Sequence, residues 1–227
     1  MTVRVGGKAH TFVFDTGTRH TTVSDAVART LARPIRENRP GERAIDDVSL
    51  EVFGMMLPHQ TLRLAPEQIP GDGILGADLC KRFIVRVNFR GRRIELWPLS
   101  TAIDTRHARV VPADFSHDVP LIAVTVRAPG VNEAPATLVV GLAVPPGTVS
   151  FKYSYAADSG LLDASDDEVV PVELRGITSA GIVASARLPR EPGRVAPLFA
   201  DGVVSARALT ASWIVFDAPR GRIVLGQ

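Results

Sequence analysis

The chain has 227 residues, 45% of them hydrophobic and 22% charged, with 26 basic against 24 acidic side chains. That balance supplies a core and excludes disorder, collagen-like repeats, coiled coils and the dense basic field of an obligate nucleic-acid binder. A single cysteine, Cys80, rules out an internal disulfide, and no apolar run reaches the roughly 20 residues that a spanning helix needs, so no membrane span is expected.

Taken in chain order, strand-length apolar or alternating segments run over Thr2 to Val5, Thr11 to Phe14, Val48 to Phe53, Thr61 to Leu64, Ile84 to Phe89 and Arg93 to Trp97. The second half adds Leu121 to Arg127, Ala136 to Val140, Val169 to Leu174, Gly181 to Leu188, Trp213 to Phe216 and Arg222 to Leu225. Turn residues such as Gly6-Gly7, Pro58-His59, Arg90-Gly91 and Pro219-Arg220-Gly221 separate them. Only Ser24 to Leu31, with Ser24 as its N-cap, and Ala77 to Arg82 read as helical. The pattern is all-β with a few short helices. The opening Met-Thr-Val-Arg-Val reads as the first strand and lacks a charged-then-apolar signal pattern, which fits a cytoplasmic protein, or a periplasmic or secreted one whose leader has been removed.

The chain also repeats itself. Asp72-Gly73-Ile74-Leu75-Gly76-Ala77 returns as Asp201-Gly202-Val203-Val204-Ser205-Ala206, an offset of 201 − 72 = 129. Arg93-Ile94-Glu95-Leu96 meets Arg222-Ile223-Val224-Leu225 at the same offset. Thr22-Val23-Ser24 matches Thr148-Val149-Ser150 at 148 − 22 = 126. Matching order at near-constant spacing implies one supersecondary plan used twice: a lobe over residues 1–98, a polar linker over 99–117, and a second lobe over 118–227.

The sharpest local signal is Phe12-Val13-Phe14-Asp15-Thr16-Gly17-Thr18. An apolar strand delivers a carboxylate to a fixed, partly dry position, where low dielectric tunes an acid or base. A threonine hydroxyl is placed to lock the loop, and Gly17 lets the backbone approach the carboxylate. In isolation, Asp-Thr-Gly is also ordinary turn chemistry.

Its setting is more specific. The tripeptide follows a hairpin and precedes a short helix. Asp72-Gly73-Ile74-Leu75-Gly76-Ala77-Asp78 comes 57 residues later (72 − 15), before a closing hairpin that ends Arg93-Ile94-Glu95-Leu96. Over residues 2–98 this order resembles the retropepsin-like aspartic proteases, single-lobe relatives of the pepsins, and their bacterial members especially. The resemblance implies an acid-protease fold of two tandem closed β-barrel lobes and an endopeptidase acting on peptide or protein substrates. It makes Asp15 the catalytic aspartate with Thr16 and Gly17 in its loop, Thr18 and Ile74-Leu75-Gly76 as its support, and a flap hairpin within Asn38 to Phe53. It implies no metal or organic cofactor. In that family two such loops meet, sharing one proton between their carboxylates.

The second lobe departs from the pattern. Asp15 maps to Gly141 (15 + 126), Gly76 to Ser205 and Asp78 to Arg207. The lobe therefore keeps the plan and lacks the carboxylate. Two expectations follow: a peptidase whose second aspartate comes from another chain, in a homodimer through the first lobe, or a catalytically inactive peptide-binding or interaction protein.

Other motifs carry less. Gly71-Asp72-Gly73-Ile74-Leu75-Gly76 fits G-x-G-x-x-G, yet Pro66-Glu67-Gln68-Ile69-Pro70 before it is a poor strand and no strand–helix alternation follows. The arginines from Arg82 to Arg93 alternate with apolar residues as on a hairpin with one wet face, and lysines number only 3 in the whole chain, so arginine is the default cation and no nucleic-acid partner is expected. The five histidines show no metal-ligand spacing. Cys80 reads as a buried structural thiol, His20 as a loop residue, and Asp158, Asp163, Asp166, Asp167 and Glu168 as a solvated loop rather than a cation site.

Overall fold

The computed structural model describes residues 1–65, 69–162, 169–178, 181–189, 196–210 and 212–226. They form two compact units, Met1–Asp78 and Leu79–Gln227. Each contains a closed six-stranded β-barrel, and the three α-helices among the described residues are short.

The first unit comprises β1 (Thr2–Val5), β2 (Lys8–Phe14), β3 (Thr22–Val23), helix α1 (Asp25–Thr30), β4 (Ile35–Arg39), β5 (Glu42–Val52), β6 (Met55–Leu64) and β7 (Gly73–Leu75). The barrel runs β1-β2-β7-β3-β6-β5 and closes because β1 pairs with β5, leaving β4 as an added edge strand on β5. Alternation does the building: Val3 and Val5 are buried on β1 while Thr2 and Arg4 face water, and Phe12, Ile45, Leu50, Leu62 and Leu75 complete the interior. Ser24 caps α1 by accepting from the Val27 amide at 3.3 Å.

The second unit comprises β8 (Ile84–Asn88), β9 (Arg93–Trp97), β10 (Ala108–Pro112), β11 (Leu121–Arg127), β12 (Ala134–Gly141), β13 (Thr148–Phe151), helix α2 (Tyr153–Asp158), β14 (Val169–Arg175), β15 (Ile182–Arg187), β16 (Gly202–Ser205), helix α3 (Ala206–Leu209), β17 (Trp213–Asp217) and β18 (Arg222–Gly226). Its barrel runs β11-β12-β16-β13-β15-β14, and a separate five-stranded sheet runs β10-β18-β17-β8-β9.

The repeat is exact at its anchor. In the first barrel the Asp72 carboxylate accepts from the Thr11 amide at 2.8 Å, the Asp72 amide donates to the Thr11 carbonyl, and the Asp72 carbonyl accepts from the Ser24 amide. In the second, Asp201 makes the same three bonds with Thr137 and Lys152. Around β3 the register differs from the sequence match. Thr22 faces Ile74, whereas Val203, the counterpart of Ile74, faces Ser150. The structural offset there is therefore 150 − 22 = 128, not 126, because the loop before β13 is two residues longer.

Other differences have local causes. β4 was not foreseen because Ile35-Arg36-Glu37-Asn38-Arg39 is mostly charged, as an exposed edge strand can be. Pro58-His59 is not a turn but lies inside β6, where His59 takes a φ of 55° beside a bulged stretch of the β5–β6 ladder. The stretch Asn38 to Phe53 holds the tip of one hairpin, at Pro40-Gly41 between β4 and β5, and reaches the start of a second turn at Phe53-Gly54. The helix expected over Ala77 to Arg82 is a 3₁₀ turn over Ala77–Lys81, and α2 and α3 were not anticipated. Within 99–117, Ala108–Pro112 is an edge strand on β18. The unit boundary at Asp78 precedes the sequence boundary at 98 because β8 and β9 join β17 in the five-stranded sheet. Cys80 is buried. Pro66-Glu67-Gln68, and Asp163, Asp166, Asp167 and Glu168 of the acidic loop, lie outside the described residues. Among the described residues no helix is long and apolar enough to cross a membrane.

One buried and one half-buried polar group make the second unit testable. Asp217 is fully buried and bonded to Arg220 at 3.0 Å and Arg222 at 2.7 Å, closing the β17–β18 turn. Asp217→Ala leaves both guanidinium groups without that partner and should lower the unfolding free energy by about 2–3 kcal/mol in denaturant titration. Burial, reinforced by the charge of Asp201, pushes the Tyr155 phenol up to about 12. The unfolded chain then gives up a proton above about pH 10 that the folded chain keeps, so stability falls as pH rises from there. Tyr155→Phe should lessen that decline, read as denaturation midpoints across the alkaline range.

Candidate functional site

Asp15 directly follows β2, and its position is set by a crossing of strands. β7 lies between β2, to which it runs parallel, and β3, to which it runs antiparallel. Since β2 and β3 are consecutive in the chain, residues 15–21 must arch over the end of β7. Phe14 faces Leu75, and the Asp15 amide donates to the Leu75 carbonyl at 3.0 Å. The loop then turns tightly, with the Thr18 amide bonded to the Asp15 carbonyl at 3.2 Å.

The carboxylate is half-buried and held at both oxygens. The Gly17 amide donates to Oδ1 at 3.0 Å and the Thr18 hydroxyl to Oδ2 at 3.3 Å. Thr16 is fully buried, and Leu75 lies in the barrel core with Ile74 half-buried beside it. The sequence-derived group Asp15, Thr16, Gly17, Thr18, Ile74, Leu75 and Gly76 is thus gathered at one end of the first barrel.

Gly76 is required by close approach. A Cβ there would lie 2.6 Å from the His20 carbonyl carbon and 2.8 Å from the Thr18 oxygen, both backbone atoms of the arch. The residues after it latch the arch down. The Ala77 amide donates to the Thr18 carbonyl at 2.7 Å, and the Asp78 amide to that of Arg19 at 3.1 Å. Sequence reasoning missed the strongest latch: Thr21 donates both its amide and its hydroxyl to the Asp78 carboxylate, each at 2.8 Å, and its hydroxyl oxygen also accepts from the Gly76 amide at 3.2 Å. Its signal was the Asp at the end of Gly76-Ala77-Asp78, absent from the second repeat. His20 is half-buried, with its carbonyl accepting from the Thr22 hydroxyl.

The second unit repeats the crossing, with β16 between β12 and β13, and puts Gly141 opposite Ser205 where Asp15 would stand opposite Gly76. Nothing in Gly141-Leu142-Ala143-Val144-Pro145-Pro146-Gly147 can ionise. Ser205 donates its hydroxyl to the Val144 carbonyl at 3.2 Å and accepts from the Arg207 amide, capping α3. Arg207, at the position of Asp78, holds its guanidinium 5.5 Å from the Phe89 ring centre instead of latching a loop.

No protein-family model matches this chain, and no curated protein matches it.

The two crossings should differ in how strictly they require the residue that ends the inserted strand. Gly76→Ala forces backbone apart and should cost about 1–3 kcal/mol, whereas Ser205→Gly, which trades a cap for a glycine, should cost a few tenths. Denaturant unfolding of the two variants beside the parent checks both.

Proposed function

We propose that this protein is an aspartic endopeptidase in which Asp15 is one half of a carboxylate pair and a second copy of the chain supplies the other. The observation that carries the reading is the hold on Asp15: a carboxylate at the end of an apolar strand, fixed by an amide and a hydroxyl, in an Asp-Thr-Gly arch clamped from behind by Ile74-Leu75-Gly76. Because Gly141 offers no carboxylate at the matching place, a complete pair draws on the first units of two chains.

In such a pair, like charges within a few ångströms cannot both ionise, so one proton is shared and the pair titrates as a unit. The ionised member takes a proton from a water as its oxygen attacks the scissile carbonyl. The protonated member gives its proton to the carbonyl oxygen, forming a gem-diol. Collapse of that diol returns a proton to one carboxylate, passes one to the departing nitrogen and breaks the C–N bond. No step needs a metal or organic cofactor.

Gly141 favours a second reading, in which the chain binds peptides without cutting them. Cleavage of a peptide library across acid to neutral pH, with Asp15→Asn beside the parent, separates the two. The peptidase reading expects cleavage favoured below neutral pH, a specific rate that rises with protein concentration as dimers form, and a loss of at least about a hundredfold in the variant. Retained cleavage in Asp15→Asn overturns it. Peptide retention without cleavage by the parent supports the binding reading.

A further inference from the structure

We propose that one face of the five-stranded sheet carries a binding site for a small aromatic carboxylate, independent of Asp15. A cavity of about 350 Å³ opens there, within the size range of small-ligand sites. It is lined by both tryptophans of the chain, Trp97 on β9 and Trp213 on β17, together with Arg86 on β8 and Ile103 from the segment that follows β9.

The register explains the convergence. Arg86 stands opposite Glu95 and Val215, which lie two residues from Trp97 and Trp213 on their strands, so all project to one face. The Arg86 guanidinium carbon lies 5.6 Å from the Trp97 ring centre and 5.2 Å from that of Trp213. Trp213 lies close over the neighbouring strand because its partner there is Gly226, where a Cβ would fall 1.8 Å from the indole. Ile103 packs with both indoles against the buried Ile84, Val215 and Val224.

Charge selects the ligand. The Arg86 guanidinium has five N–H donors and makes one hydrogen bond among the described residues, to Glu95 at 3.3 Å. Glu95 also pairs with Arg93 at 3.5 Å, and Asp104 at the rim is taken up by Arg106. The group Arg86, Glu95, Arg93, Asp104, Arg106 therefore carries three positive and two negative charges, one cation in excess. Flat indole faces with an undersatisfied, half-buried guanidinium between them suit a planar ring bearing an anion: the ring stacks on indole and the carboxylate takes spare N–H donors of Arg86. Either a free aromatic acid or the C-terminal aromatic residue of a peptide presents that chemistry.

Since both tryptophans line the cavity, tryptophan fluorescence, excited selectively at the red edge where the two tyrosines do not absorb, reports on this site. Titration of the full chain with phenylacetate should give a saturable change in emission, and phenylacetamide, the neutral isostere, should bind at least about tenfold more weakly. Arg86→Met should weaken phenylacetate by a similar factor and bring acid and amide level. A short peptide ending in phenylalanine, against its C-terminal amide, tells whether a peptide end is accepted as well as the free acid. The absence of saturable change with both phenylacetate and the peptide overturns the proposal, as does equal binding of acid and amide by the parent protein, an outcome that needs no variant to fold.

Discussion

Each half of this chain is organised around a short strand inserted between two others that are already joined in sequence. β7 enters between β2 and β3, and β16 between β12 and β13. The connecting loop has to pass over the end of the inserted strand, so its backbone comes within contact distance of whatever residue terminates that strand. The entry of the inserted strand is fixed by Asp72 or Asp201, which bonds to Thr11 or Thr137 on one flanking strand and to Ser24 or Lys152, the residue just after the other. Barrel closure, the placement of α1 and α2 and the position of the loop over the crossing all depend on that one arrangement.

The first unit uses the crossing to build a rigid carboxylate. Every residue of the arch is either bonded to its neighbours or wedged against them: Asp15 by Gly17 and Thr18, Thr18 by Ala77, Thr21 by Asp78. A group held in this way has spent its ordering entropy during folding. The second unit keeps the same crossing with nothing ionisable in the loop over it.

Much of this was legible in the sequence, for identifiable reasons. The repeat around Asp72 and Asp201 could be read because the anchoring carboxylate and the glycine after it have the same task in both barrels. The place of Asp15 at a strand end could be read because the apolar run Phe12-Val13-Phe14 leads straight into the Asp-Thr-Gly turn. The register of β3 was misread because Thr-Val-Ser occurs in both halves, and a local identity outweighed a two-residue lengthening of the loop before β13 that only hydrogen bonding reveals. β4 and β10 were invisible as edge strands, one mostly charged and the other set in polar sequence. The latch between Thr21 and Asp78 joins residues 57 apart in sequence (78 − 21) through side-chain geometry, which periodicity does not encode. The meeting of Arg86 with both tryptophans depends on a ladder between β8, β9 and β17 that brings residues 86 and 213 side by side.

The serine at position 205 has a consequence for reversibility. In the first barrel a side chain at the corresponding place would collide with the arch, and only glycine fits. In the second, the arch is longer and its Val144 carbonyl has become the acceptor for the serine hydroxyl. A serine side chain fits under the longer loop, whereas the shorter arch of the first barrel leaves no room for a Cβ at Gly76. Recovering a carboxylate in the manner of Asp15 would therefore take an aspartate at 141, a deletion in the loop and a glycine at 205 together. The longer loop and the serine beneath it are matched to each other, as the shorter arch and Gly76 are in the first barrel.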